Sequence, residues 1–117
     1  MNELQNRLVK FSVNVSNLTD GFYNQPALKS IVNQLNRATS SIGANYSEAQ
    51  SASSRKDFHN KVRIALKEAR ESEYWLQIMV EKLKGKKDFN LLLGEAVIII
   101  KILTVIARKT DPDKTHI

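Results

Sequence analysis

Apolar residues recur along this chain at alternating intervals of four and three. The first run is Leu4, Leu8, Phe11, Val15 and Leu18. The second is Leu28, Ile31, Leu35, Ala38, Ile42, Asn45 and Ala49, with polar Asn45 taking a place in the apolar row. The third is the longest: Phe58, Val62, Ala65, Ala69, Ser72, Leu76, Met79 and Leu83. Spacing near 3.5 residues puts each row on one face of an α-helix, and no stretch sustains the period of two that a half-buried strand needs. The fourth run, about Lys86 to Lys109, is different. Its Ala96-Val97-Ile98-Ile99-Ile100 leads into Ile102, Leu103, Val105 and Ile106, apolar nearly all round, which is the pattern of a helix buried on several sides. The β-branched content also fits a buried strand, but the length of the run and its three helical neighbours favour a helix.

Punctuation between the runs agrees. Thr19-Asp20-Gly21 is a turn signal, and Pro26 fits the first turn of a helix. Ser51-Ala52-Ser53-Ser54 and Lys84-Gly85-Lys86-Lys87 are short breaks, and Asp111-Pro112-Asp113 closes the last element. Ser54 is the expected N-cap of the third helix, with Asp57 three residues on, where a capping box carries Glu or Gln. Four such helices predict an all-α, antiparallel up-down four-helix bundle over residues 1–110, with a short C-terminal tail at 111–117.

Composition narrows the class. The 117 residues are one ordinary domain, and 42% hydrophobic with 26% charged residues is a globular balance. The absence of Cys excludes disulfides, thiolate zinc sites and Cys nucleophiles, and is compatible with a reducing cytoplasm. The polar start, Met1 to Arg7, is not followed by an apolar segment of the secretory kind. Phe89–Ala107 is the one candidate membrane span, but Glu95 and Lys101 inside it would each cost roughly 2.5–3.5 kcal/mol on insertion. A cytoplasmic protein with no membrane partner is expected. Lys+Arg number 18 against Asp+Glu 12, a net charge of +6, which points to polyanions as partners.

The third helix carries more than its core row. Opposite that row, Lys56, His59, Arg63, Lys67, Arg70 and Tyr74 fall within a sector of about 80° at 100° per residue. One reading is a solvated face; the other is a strip of fixed positive charge along a rigid rod, suited to a phosphate backbone. Nothing in the strip is base-specific. A further face, Ile64, Glu68, Glu71, Trp75 and Ile78, widens the apolar row, either as a broad core or as a subunit interface anchored by Trp75. Asn45 or Glu48 is expected to bond across to another helix and set register, because an unsatisfied polar group in a core costs roughly 1–3 kcal/mol. A catalytic pairing of Glu48 with Glu68 or Glu71 lacks a base, a nucleophile or a metal set. There is no Glu-x-x-His of a di-iron bundle, no glycine-rich phosphate loop, no HExxH and no GxSxG. His59 lies in the basic sector and His116 in the tail. No catalytic residue, cofactor or metal is therefore expected.

The middle of the chain carries a family likeness. Ser40-Ser41-Ile42-Gly43-Ala44-Asn45-Tyr46-Ser47-Glu48-Ala49, then Ser54-Arg55-Lys56-Asp57-Phe58, then Ile64 to Leu76 closely resemble the 23S rRNA intervening-sequence proteins, also called bacterial four-helix-bundle proteins. The likeness is continuous over about Arg37–Met79. It departs at Glu48-Ala49, where many relatives have Glu-Gly, and at Lys67-Glu68, which replaces a Gly-Ser. The resemblance implies ring-like homopentamers of four-helix bundles, mostly without an established activity. It also implies kinship with the accessory protein of diversity-generating retroelements, a basic pentamer that binds nucleic acid and a reverse transcriptase.

Residues and resemblance together predict a non-enzymatic, oligomeric helical protein that binds RNA or DNA through phosphates. Lys56, Arg63, Lys67 and Arg70 are the expected contacts, with Arg55, Lys84, Lys86 and Lys87 as secondary ones. Asn45, Glu48, Glu71 and Trp75 are assigned to bundle and interface structure. The rival reading is a protein–protein adaptor whose basic face docks an acidic partner.

Overall fold

The computed structural model describes residues 1–113 and folds into four α-helices, with no strand among the described residues. Helix α1 is Glu3–Thr19, followed by a single 3-10 turn at Asp20–Phe22; α2 is Pro26–Ala49, α3 is Arg55–Lys82 and α4 is Lys87–Thr110. Each helix coincides with one of the four runs, and short turns join them into an antiparallel bundle. Positions 114–117, with His116 and most of the expected tail, lie outside the described residues.

Local chemistry sets the helix ends. Asn2 caps α1 reciprocally: its side-chain oxygen accepts from the Gln5 N–H at 2.8 Å, and the Gln5 side chain accepts from the Asn2 N–H at 2.8 Å. Pro26 opens α2, where a missing N–H costs nothing. Ser54 caps α3 as expected, its Oγ accepting from the Asp57 N–H at 3.0 Å. The shorter Asp57 carboxylate accepts from the Ser53 N–H at 3.1 Å, one residue before the cap. Gly85 turns the chain between α3 and α4 at φ 101°, a conformation that a Cβ disfavours.

The bundle measures 51 × 24 × 22 Å. Helix α3 lies closely between α2 and α4, whereas α1 packs on α2 and touches α4 only lightly. The inner row of α3 accounts for its central place: Ala65, Ala69 and Ser72 are small and fully buried, so both neighbours can approach its backbone. Around them pack Leu8, Phe11 and Val15 of α1, Leu35 and Ile42 of α2, Leu76 and Met79 of α3, and Phe89, Ile99 and Leu103 of α4. Burying this continuous apolar surface is what holds the four helices together.

Two expectations need correction. In α2 the buried row runs Leu28, Val32, Leu35, Ala38, Thr39, Ile42, Tyr46 and Ala49, so Ile31 and Asn45 fall at its edge. A straight helix drifts about 20° per heptad from a strict 3.5-residue row, enough to shift the stripe by a position over 24 residues. Half-buried Asn45 donates to the Ser41 carbonyl at 2.9 Å, inside its own helix. Glu48 makes the cross-helix contact, accepting from Lys61 Nζ at 3.1 Å. The second correction concerns α4. Within the subunit only Phe89, Leu92, Ala96, Ile99 and Leu103 are buried, and Leu91, Ile98 and Val105 stay exposed at 73%, 43% and 47%. The lightly packed α1, 17 residues against 24, leaves the outer side of α4 uncovered. Glu95, the acid nearer the middle of this apolar helix, is held by Arg7 of α1 through two bonds of 2.8 Å.

Candidate nucleic-acid interface

The outer side of α3 gathers positive charge. Lys56, Arg63, Lys67 and Arg70 are all exposed, opposite the buried Val62, Ala65, Ala69 and Leu76. At 100° per residue they occupy a sector of about 60° and extend over about 21 Å of helix axis. None of the four has an ion-pair partner among the described residues. The acids that face cations lie elsewhere: Glu95 with Arg7, Glu68 and Glu71 with Arg37, Glu48 with Lys61, and Glu81 with Lys84. Between Lys56 and Arg70 the acids of α3, Asp57 and Glu68, fall outside that sector, and Glu81, which returns to it, lies beyond the strip and pairs with Lys84.

His59 does not belong to the strip. It is 8% exposed, because the first turns of α3 pack against the end of α4, and its Nδ1 lies 3.3 Å from the Thr110 hydroxyl. The same packing adds a cation that the sequence pattern missed. Arg108, in the last turn of α4, joins Arg63 and Arg70 along a shallow groove between the two helices, with Thr104 in the lining and Asp111 as its acid. The signal for Arg108 was the antiparallel α3–α4 hairpin, which brings the end of α4 beside the start of α3. Its register was not readable without the packing.

The secondary cations are differently placed. Arg55 is committed to α4: its guanidinium donates to the Lys109 carbonyl at 2.8 Å and the Thr110 carbonyl at 3.2 Å, supplying charge and donors at a helix C-terminus. Lys84 pairs with Glu81 at 3.5 Å, and the Lys86 ammonium lies 5.6 Å from the centre of the Phe22 ring. Lys87 opens α4. These three sit at the far end of α3 from Lys56, beyond its 28 residues.

The acidic flank of α3 is a structural junction. Arg37 of α2 donates to Glu68 at 3.1 Å and to Glu71, and the Trp75 indole N–H donates to the other Glu71 oxygen at 3.3 Å. The Arg37 hydrogen bond holds the Glu71 carboxyl below the usual carboxylate range, with the Trp75 bond acting in the same direction. Glu48 is engaged separately, with Lys61, so the three acids serve as ion-pair partners that tie α2 to α3. No group of three His, Cys, Asp or Glu is placed to hold a metal ion among the described residues. Trp75 itself is half-buried against the subunit core, and Tyr74 meets it edge-on at 5.2 Å between ring centres.

Comparison with known proteins agrees with this architecture. A family model described as 23S rRNA-intervening sequence protein matches residues 2–105. Among solved structures, a protein of unknown function from the S23 ribosomal protein family of Bacteroides thetaiotaomicron is 34% identical. It superimposes with a TM-score of 0.81 over 89% of this chain and 97% of its own. No match was found among curated proteins.

Proposed function

The chain belongs to the 23S rRNA-intervening sequence protein family, and we propose that it is a non-enzymatic, oligomeric protein of the cytoplasm that binds nucleic acid through the outer face of α3. The observation that carries this reading is the uncompensated strip of Lys56, Arg63, Lys67 and Arg70, with Arg108 beside it. Cations already neutralised by acids offer little to a phosphate; those on the strip are free to displace its counterions. The strip is straight because α3 is one unbroken helix, and positions held on a helix need no ordering on binding. Self-association is supported by the exposed Leu91, Ile98 and Val105, spaced one heptad apart on α4. The family resemblance supports a pentamer as the form of that assembly. A ring would repeat the strip on every subunit and let weak contacts add up.

The test is a salt titration of fluorescence anisotropy with labelled RNA and DNA. Affinity should fall steeply with salt, by roughly 0.9 in log–log slope for each duplex phosphate neutralised. The double variant Arg63→Ala/Arg70→Ala should weaken binding and flatten that slope, almost equally for unrelated sequences. Its melting temperature should stay close to that of the parent, since each exposed charge contributes only about 0–1 kcal/mol. Absence of binding by the parent at low salt removes the reading. A nuclease-resistant acidic protein recovered with the chain, in place of nucleic acid, favours the adaptor instead.

A further inference from the structure

We infer that the strip is a track for single-stranded nucleic acid, with Tyr74 as the platform on which an unpaired base stacks; this rests on the nucleic-acid reading above. Tyr74 extends the row of cations at the same intervals: Arg63, Lys67, Arg70, Tyr74 are spaced four, three and four. At 100° per residue it shares the angular position of Lys56, at the centre of the sector. The residue is 60% exposed, and its hydroxyl has no hydrogen-bond partner among the described residues. A large exposed ring with nothing to bond is unexplained by the bundle, whose core lies on the other side of α3.

The ring is also held in place. It meets Trp75 at 71° between planes, and Trp75 is fixed by its indole bond to Glu71, which Arg37 holds from α2. A platform braced in this way loses little freedom when a base lands on it. Among the cations themselves the surface is not purely polar. Arg63, Lys67 and Arg70 border a shallow depression floored by Ile64 and Leu66, and Ile64 is 43% exposed. Cations alternating with apolar and aromatic surface suit a strand that presents phosphates and bare base faces together. A duplex keeps its base faces stacked on one another, so it offers such a surface phosphates and groove edges but no bare face for a ring to stack on.

The experiment compares a labelled single-stranded oligonucleotide with the duplex of the same sequence, in RNA and DNA forms, for the parent, Tyr74→Ala, Tyr74→Phe and Arg63→Ala/Arg70→Ala. The parent should prefer the single strand. Tyr74→Ala should weaken single-strand binding about ten-fold, the order of one lost stacking contact. Its salt slope and its duplex affinity should be unchanged, and Tyr74→Phe should bind like the parent. A single strand carrying 2-aminopurine should be quenched by the parent and by Tyr74→Phe but not by Tyr74→Ala. Equal single-strand binding by Tyr74→Ala and parent, or tighter binding of duplex by the parent, overturns the inference and leaves the phosphate strip standing. A loss of binding accompanied by a fall in particle mass makes Tyr74 a contact between copies and likewise overturns it. No binding of either form by the parent, or equal binding by the arginine double variant, removes the underlying strip.

Discussion

Glu71 shows how one side chain takes its role from its surroundings. In the sequence it is an acid near Glu68 on a helix flank, open to either catalytic or structural use. In the fold, Arg37 bonds it from α2 and Trp75 bonds it from its own helix. Its carboxyl is therefore held below the usual glutamate value near 4.5. Stability from this contact is present above the unfolded-state value and is lost as pH falls through the lower folded-state value. Glu71→Gln should therefore flatten the acid side of the stability curve below about pH 4.5, while changing stability near neutrality by at most about 1 kcal/mol, the value of a partly exposed pair. Urea melts of parent and variant from pH 3 to 7 check this. Identical acid limbs would mean that the Arg37 contact does not form in solution. His59 gives the opposite lesson, since helical arithmetic assigned it to the basic face and the end of α4 covers it.

Among the elements, α3 was the most legible. Of its row from Phe58 to Leu83, the fold buries Val62, Ala65, Ala69, Ser72, Leu76 and Met79, leaves Phe58 and Leu83 half-buried, and adds His59, which the row did not include. Leu76 is fully buried in this row. Leu76→Ala removes atoms that the packed surroundings cannot replace, and should cost about 2–5 kcal/mol by chemical denaturation. A variant as stable as the parent would place the row outside the core. Helix α2 was legible as a helix but not in register, since its period departs from the strict heptad over its full length. Helix α4 was legible as a helix and misread in its burial. Its apolar character says that it avoids water, not which neighbour does the covering.

That unanswered covering sets the behaviour of the molecule as a whole. Leu91, Ile98 and Val105 form an apolar line on the outside of an otherwise complete bundle, and α4 is long and apolar enough to cross a membrane by length and composition. Its buried side is committed to the bundle core, and under the proposed self-association the exposed line packs on another copy of the chain. Light scattering during size exclusion should give a mass of several subunits at micromolar concentration for the parent. Leu91→Asp/Ile98→Asp should reduce that mass while leaving the helical circular dichroism spectrum intact, because neither side chain is buried within its own subunit. A parent of single-subunit mass removes the oligomer.

The spacing of apolar residues, with Ser54, Pro26 and Gly85 at the boundaries, was enough to specify four helices and their order, because helix period and chain punctuation are local properties. It also specified the outer strip of α3, because four cations on one continuous helix share a face whatever packs behind them. Relations between helices were decided only by the tertiary structure. The burial of His59, the arrival of Arg108, the use of Arg55 at the end of α4, the Arg37–Glu71–Trp75 brace and the bare side of α4 all depend on which helix lies beside which, and in what register. Those choices follow from the fit of small residues on α3 and from the short, lightly packed α1, and shape complementarity of that kind is a property of pairs of surfaces that no single helical period encodes.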